Sequence, residues 1–253
     1  MDKFTFSPLV GLTDGMRVGT SGWYYRDWVG RFYPRELDSS GFLNYYSRFF
    51  DTVELNGVFY RLPQPTAVKQ WYERSPKNFI FAYKGSRFLT HIKKLKDPQE
   101  PLRLMFKRAD LLKEKLGPVL FQLPPSWPVQ IPRLKIFLEA LPRGYDCTME
   151  FRHASWFTDE VYDLLEKHGV GLCQYDMKGE ASPDRLTSRL VYVRMHGSEQ
   201  KYAGNYTAAA LDGWIRKIKR WEKDRRQIFI YFNNDIRGHA IKNAVELKKK
   251  LHL

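Results

Sequence analysis

The sequence predicts an α/β protein: a single (β/α)8 TIM-type barrel with a short or missing sixth helix. Three observations carry this. Eight apolar strand-like runs recur along the 253 residues, helical patterns separate them, and nearly every run ends in charged or amide side chains. The endings are Val53-Glu54-Leu55-Asn56, Ala82-Tyr83-Lys84, Leu120-Phe121-Gln122, Met149-Glu150-Phe151-Arg152, Cys173-Gln174-Tyr175-Asp176, Val193-Arg194-Met195-His196 and Phe232-Asn233-Asn234-Asp235. A run buried on both faces has no reason to turn polar at its end unless those residues line a site.

In chain order, Arg17–Ser21 is the first strand, followed by a helix over 41–50 with Phe42, Tyr45, Tyr46 and Phe49 on one side. Thr52–Leu55 is the second strand, and a short helix near 66–74 carries Val68 and Trp71. Phe79–Lys84 is the third. Its helix, 99–116, spaces Leu102, Met105, Ala109, Leu112 and Leu116 by three and four residues and stops at Gly117-Pro118. Val119–Leu123 precedes a helix near 132–141, and Asp146–Phe151 precedes one capped by Thr158 and ended by Gly169. Val170–Tyr175 is the sixth strand, and the connection Met177–Ser188 is too short and polar for a full helix. Leu190–Met195 leads to a helix near 207–224 with Leu211, Trp214, Ile218 and Trp221 facing inward, then Gln227–Phe232 and a closing helix. The rival, an open doubly wound sheet, does not need eight comparable strands. Residues 1–15 read as an N-terminal extension and 16–253 as one domain.

Composition narrows the setting. Cys147 and Cys173 sit inside apolar runs, and no signal peptide or bilayer-length apolar stretch occurs, so a reducing cytoplasmic location away from membranes is expected. The net charge of +14 is concentrated in residues 84–115 and 201–253, with balances of +6 and +8. These either serve as solvated helix faces or attract a polyanion. On a barrel the two segments lie roughly opposite, so they form no single footprint. Lys84, Arg87, Lys93 and Lys94 are placed to guide a polyanion to the strand ends.

Residues two apart on a strand share a face, so Glu54/Asn56, Glu150/Arg152, Gln174/Asp176 and Arg194/His196 are each expected to point inward. They form either a ligand site or a buried ion-pair plug. Three chemistries are open. Divalent-metal isomerase or epimerase chemistry would use Glu150, Asp176, His196 and Asp235, against which Lys84, Arg152 and Arg194 would repel a cation. Glycoside hydrolysis would use Glu54 and Glu150. An anion site, the leading reading, takes Lys84, Arg152, Arg194 and Lys201 as cations and Asn56, Gln122 and Asn233 as orienting amides. Glu54, Glu150, Asp176 and His196 are then the proton-transfer candidates. Trp23, His153, Asn234 and Asp235 complete the ligand-binding set. Loop aromatics, including Tyr24, Tyr25, Trp28, Phe59, Tyr60, Trp127, Trp156, Tyr202 and Tyr206, either stack on a ligand or anchor their loops. No cofactor is expected apart from the alternative metal. The expected partner is an anionic small molecule or nucleic acid; the oligomeric state has no sequence signal.

The same motifs carry a resemblance. Gly19-Thr20-Ser21-Gly22-Trp23, Glu54-Leu55-Asn56 with Phe59-Tyr60, Lys84-Gly85-Ser86-Arg87 with Thr90-His91, and Gln122-Leu123-Pro124-Pro125 follow one family's order. So do Glu150-Phe151-Arg152-His153 with Ser155-Trp156, Arg194-Met195-His196-Gly197 and Tyr231-Phe232-Asn233-Asn234-Asp235. The sequence closely resembles the YecE-like barrels, domain of unknown function seventy-two, from about residue 17 to about 250. Gly57-Val58 departs from the small hydroxyl residues more common there. The resemblance implies a TIM-type barrel and leaves the activity open. The expected function is an enzyme (hydrolase, lyase or isomerase) acting on an anionic, phosphate-bearing ligand. The alternatives are a nucleic-acid-binding or nuclease-like barrel and a metal-dependent isomerase.

Overall fold

The computed structural model describes residues 15–177, 180–197, 204–224 and 226–253. Residues 1–14 of the expected extension, and Lys201 and Tyr202, lie outside the described residues. The fold is mixed α/β. Strands β1 (Met16–Thr20), β2 (Thr52–Leu55), β3 (Ile80–Lys84), β4 (Leu116–Gln122), β5 (Cys147–Glu150), β6 (Gly171–Leu172), β7 (Gln174–Met177), β8 (Glu180–Ala181), β9 (Leu190–Met195) and β10 (Gln227–Phe232) alternate with helices. The helices are α1 (Phe42–Tyr46), α2 (Gly57–Tyr60), α3 (Pro65–Arg74), α4 (Gln99–Ala109), α5 (Ile131–Ala140), α6 (Asp159–Lys167), α7 (Ala208–Lys223) and α8 (His239–Leu251).

Where one closed barrel sheet was expected, the strands form two five-stranded sheets, ordered β1-β10-β9-β7-β8 and β2-β3-β4-β5-β6. All pairings are parallel except β7 with β8. The expected sixth strand is split at Cys173, where the chain passes from one sheet to the other while Cys173 N still donates to Met149 O at 2.8 Å. At the opposite seam, an isolated parallel bridge joins Ser21 to Glu54. The described residues of the sixth connection carry β8 and no helix.

Alternate residues of each strand enter different cores, as expected of strands buried on both faces. Phe81, Tyr83, Ile228, Ile230 and Phe232 join the larger core with helix residues such as Leu102, Phe137, Leu165, Leu211 and Leu247. Ala82 and Leu120 of one sheet meet Cys173, Tyr192, Phe229 and Tyr231 of the other in a smaller inner core. The inner faces of the sheets therefore face each other, and Thr52 Oγ1 and Tyr231 OH bond across that space at 2.7 Å.

Two boundaries differ from the sequence expectation. α4 ends at Ala109, a tight turn covers Asp110–Lys115, and Gly117-Pro118 lies inside β4 rather than ending a helix. The cause is Lys115, whose buried ammonium donates to Tyr72 O (2.6 Å) and Ser75 O (2.8 Å) and ties the chain to the end of α3. The β3–β4 register shifts opposite Gly117-Pro118, where proline has no N–H to offer the ladder. The helix expected over 41–50 is shorter, Phe42–Tyr46.

Gly19 of β1 packs tightly against β2: a Cβ there would lie 2.3 Å from Thr52 O. Gly19→Ala is therefore expected to cost about 1–3 kcal/mol in urea unfolding, by forcing rigid backbone apart. Gly57→Ala, where a Cβ would meet nothing within 4 Å, should change stability by less than about 1 kcal/mol.

Candidate functional site

The inward-facing residues at the C-terminal strand ends converge on Arg194 of β9. Its Nη2 donates to Glu54 Oε1 on β2 at 2.7 Å and its Nη1 to Glu150 Oε2 on β5 at 2.8 Å, and all three side chains are fully buried. Nη1 also reaches Gln122 Oε1 at 3.1 Å, and Nη2 reaches Ser21 Oγ at 3.3 Å. Glu54 accepts further bonds from Ser21 Oγ and, at 2.7 Å, from Tyr192 OH. Asn56 Nδ2 donates to Ser21 Oγ at 2.8 Å. Burial by itself would raise the Glu150 carboxyl, but Arg152 and Arg194 beside it hold it well below the usual carboxylate range.

Arg152 continues the chain of pairs. Its Nε donates to Glu150 Oε1, its Nη2 contacts His196 Nε2 at 2.6 Å, and among the described residues its Nη1 meets the thioether of Met177 at 2.8 Å. The guanidinium lies over the Tyr175 ring, 4.5 Å from its centroid. Because a guanidinium only donates, His196 Nε2 must accept, and the ring proton sits on Nδ1. The Asn233 amide nitrogen Nδ2 lies 3.0 Å from Nδ1, and with the proton on Nδ1 the amide must be turned about so that its oxygen accepts. Burial and the charge of Arg194 push His196 down to about 3, so it is neutral at physiological pH.

Lys84, at the end of β3, differs from every other charge in the cluster. It is 8% exposed, and its ammonium forms no ion pair or hydrogen bond with the described residues. Its Nζ lies over the Phe59 ring, 4.3 Å from the centroid. Burial, with Arg194 as the next cause, lowers it to about 7. Phe59 in turn packs edge-on against Tyr60 and His91, at 5.0 and 5.1 Å.

A second group lies at the ends of β1, β2 and β10. Tyr25 OH donates to Ser21 O at 2.6 Å and is close to both Asn56 and Asp235. Burial pushes the Asp235 carboxyl up to about 6. Asn56 Oδ1 and Asp235 Oδ1 are buried acceptors without a donor among the described residues, and Arg194 Nε is a buried donor without an acceptor.

Thus Glu54, Asn56, Lys84, Gln122, Glu150, Arg152, Arg194, His196 and Asn233 are brought together, with Asp235 at the edge beside Tyr25. Five expected residues are not. Asp176 takes a 3.4 Å bond from Trp214 Nε1 of α7, and Gln174 bonds Arg185 O at 2.9 Å; both face outward. On β7 the inward residue is Tyr175, two residues after the inward Cys173 and one step out of phase with the expectation. Trp23 packs edge-on against Trp71 and Phe81 in the outer layer. His153 Nδ1 bonds Ser155 and shapes the turn after β5, and Asn234 Nδ2 bonds Gly204 O and Asn243 Oδ1. The metal alternative fails on geometry: Asp176 points away, and among the described residues no three His, Cys, Asp or Glu side chains converge to hold an ion. Ser21, Tyr175 and Tyr192 had no assigned role; stepping back two residues from Arg194 reaches Tyr192.

Elsewhere, a groove of about 640 Å³ runs along α4, lined by Leu102, Arg103, Phe106, Ala140 and Pro142. It lies on the outer wall and contains no residue of the cluster. No helix among the described residues is long and apolar enough to cross a membrane.

The family model for the protein of unknown function DUF72 matches residues 17–253. The chain belongs to the DUF72 family. It is 29% identical to the UPF0759 protein YecE of Escherichia coli K12 over 87% of this chain and 86% of that protein. It is 25% identical to the UPF0759 protein YunF of Bacillus subtilis over 93% of this chain and 94% of that one. A DUF72 crystal structure from Thermotoga maritima superposes with a TM-score of 0.85 at 30% identity, covering 94% of this chain and all (100%) of the other. A DUF72 protein from Enterococcus faecalis, 17% identical, shares the fold with a TM-score of 0.80 over 94% and 96% of the two chains.

Removing Arg194 from this family member leaves two buried carboxylates without their shared partner. Arg194→Met is expected to cost roughly 3–5 kcal/mol in denaturant unfolding. Arg194→Lys should recover only part of that loss, because one ammonium cannot fork to two carboxylates.

Proposed function

We propose that the two sheets close into one (β/α)8-type barrel and that its C-terminal strand ends bind an anionic, phosphate-bearing small molecule on which the protein acts as an enzyme. The Ser21–Glu54 bridge at one seam, the passage of the chain through Cys173 at the other, and the shared inner core support closure. The observation that carries the ligand assignment is Lys84, a buried amine that forms no direct ion pair or hydrogen bond with the described residues. Three cations stand against the two carboxylates of the cluster, and the unmatched donors are Lys84 Nζ, Arg152 Nη1 on a thioether, and Arg194 Nε. An oxyanion with several acceptor oxygens satisfies that surplus.

Roles follow from the pairings. Glu54 and Glu150 hold the guanidiniums in place. His196 orients Arg152 rather than exchanging protons near neutral pH. Lys84 and Asp235, at about 7 and about 6, are the groups of this cluster whose charge changes there, which suits them to proton transfer. One observation favours a nucleotide or nucleic-acid end as the carrier of the anion. The Phe59 ring beneath Lys84 continues to Tyr60, which is 77% exposed, with Arg61 and Arg87 exposed nearby in sequence. Bases stack on such rings.

Calorimetric titration with sulfate, whose charge is constant near neutral pH, tests the site. Lys84→Met should weaken sulfate binding by about tenfold or more, in line with loss of a charge-assisted contact. In the unmodified protein, binding favours the ammonium, so affinity should be greatest below pH about 7 and fall toward tenfold per unit above it. Sulfate affinity that is unchanged in both Lys84→Met and Arg152→Ala would sink the assignment.

A further inference from the structure

Lys84 is poorly built as a permanent anion clamp. A residue serving only as a positive charge is best left where its charge is cheap, yet this one is buried at the base of the cluster, where Arg194 and Arg152 repel its proton and Glu54 and Glu150 offset that only in part. The neighbouring carboxylates do not reach it. Glu54 is bonded to Arg194, Ser21 and Tyr192, and Glu150 to Arg152 and Arg194. Its contact with the Phe59 ring places an apolar surface at Nζ instead of an acceptor. Burial together with adjacent fixed cations is the arrangement that keeps a lysine amine neutral and makes it a nucleophile. At about 7, both its forms are populated near neutral pH. The always-charged Arg152, with Nη1 on a weak thioether acceptor, retains an anion when Lys84 is neutral. Asn56 Oδ1 and Asp235 Oδ1 supply buried acceptors for hydroxyl groups at the other side of the cluster.

We propose that Lys84 is a catalytic nucleophile that forms a Schiff base with an aldehyde or ketone carried by the anionic ligand. The proposal rests on the anion-site reading above and adds the substrate class: a small oxo-acid or a phosphorylated hydroxy-carbonyl compound. The neutral Nζ adds to the carbonyl carbon, forming the C–N bond. The two protons of the amine leave with the carbonyl oxygen as water when the C–O bond breaks, giving the imine, which takes a proton from solvent. Water reverses the sequence and releases Lys84.

The test is borohydride trapping on the full chain. The protein is incubated separately with glyoxylate, pyruvate and dihydroxyacetone phosphate, reduced with sodium borohydride, and mapped by peptide mass spectrometry. With at least one probe, Lys84 should be labelled on the order of 100-fold faster at neutral pH than surface lysines, whose amines are almost wholly protonated there. Excess sulfate should protect it, and Lys84→Arg should abolish the adduct. Should that variant fail to fold, the site map and sulfate protection in the unmodified protein decide the matter alone. No Lys84 adduct with any of the three probes, or labelling no faster than at surface lysines, overturns the nucleophile assignment. If sulfate binding measured on the same preparation persists, the anion site survives that result; if sulfate binding is also absent, both fall.

Discussion

Everything at the strand ends depends on one buried guanidinium satisfying two carboxylates from different strands. Arg194 can enter an interior that excludes water only because Glu54 and Glu150 neutralise it, and each carboxylate can be buried only because Arg194 is there. The three residues come from β9, β2 and β5, so the pairing spans both sheets. Whatever its net contribution to stability, it imposes a register: shifting any of these strands by one residue would turn its charge toward the apolar helix layer. Ser21 and Tyr192 add hydroxyl donors to Glu54, so its acceptor oxygens face several donors.

That constraint sorts the remaining polar residues into those already matched and those left over. Gln122 accepts from Arg194, and Arg152, bonded to Glu150, continues the network outward to His196 and Asn233. The plug and the ligand site, alternatives at the level of sequence, are parts of one arrangement. The Glu–Arg pairs form a rigid base, and Lys84 stands beside it with its charge unmatched among the described residues. A rigid, internally neutral base suits a binding site because its donors are held before any ligand arrives.

The family relationship establishes descent and architecture but assigns no chemistry, so function rests on these side chains. The +6 and +8 segments contribute little to the cluster. Apart from Lys84 and the buried Lys115, the described cations of these segments belong to helices and surface loops, as Arg103 with Glu100 and Lys250 with Asp212 illustrate. Such exposed pairs contribute little to stability.

Much of the site was legible in the sequence because strand alternation is local. Once Glu54, Glu150, Arg194 and Lys84 are placed at strand ends, a period of two sends each inward with no knowledge of its neighbours. The capped helix after Thr158, with Gly169 at φ +65° beyond its end, was readable for the same reason. Three things were not. Cys173 rather than Gln174 faces the inner core, so by alternation Tyr175 lies under Arg152 while Asp176 bonds Trp214. Gly117-Pro118 looked like a helix stop, but Lys115, anchored to carbonyls more than thirty residues earlier, makes it part of a strand. Above all, sequence could list three cations and three carboxylates without saying which neutralised which. By itself the sequence determined that charge gathers at the C-terminal strand ends. Only the tertiary structure decided that Arg194 is spent on two glutamates while Lys84 pairs with no carboxylate among the described residues, because charge pairing depends on which strands face one another across the interior.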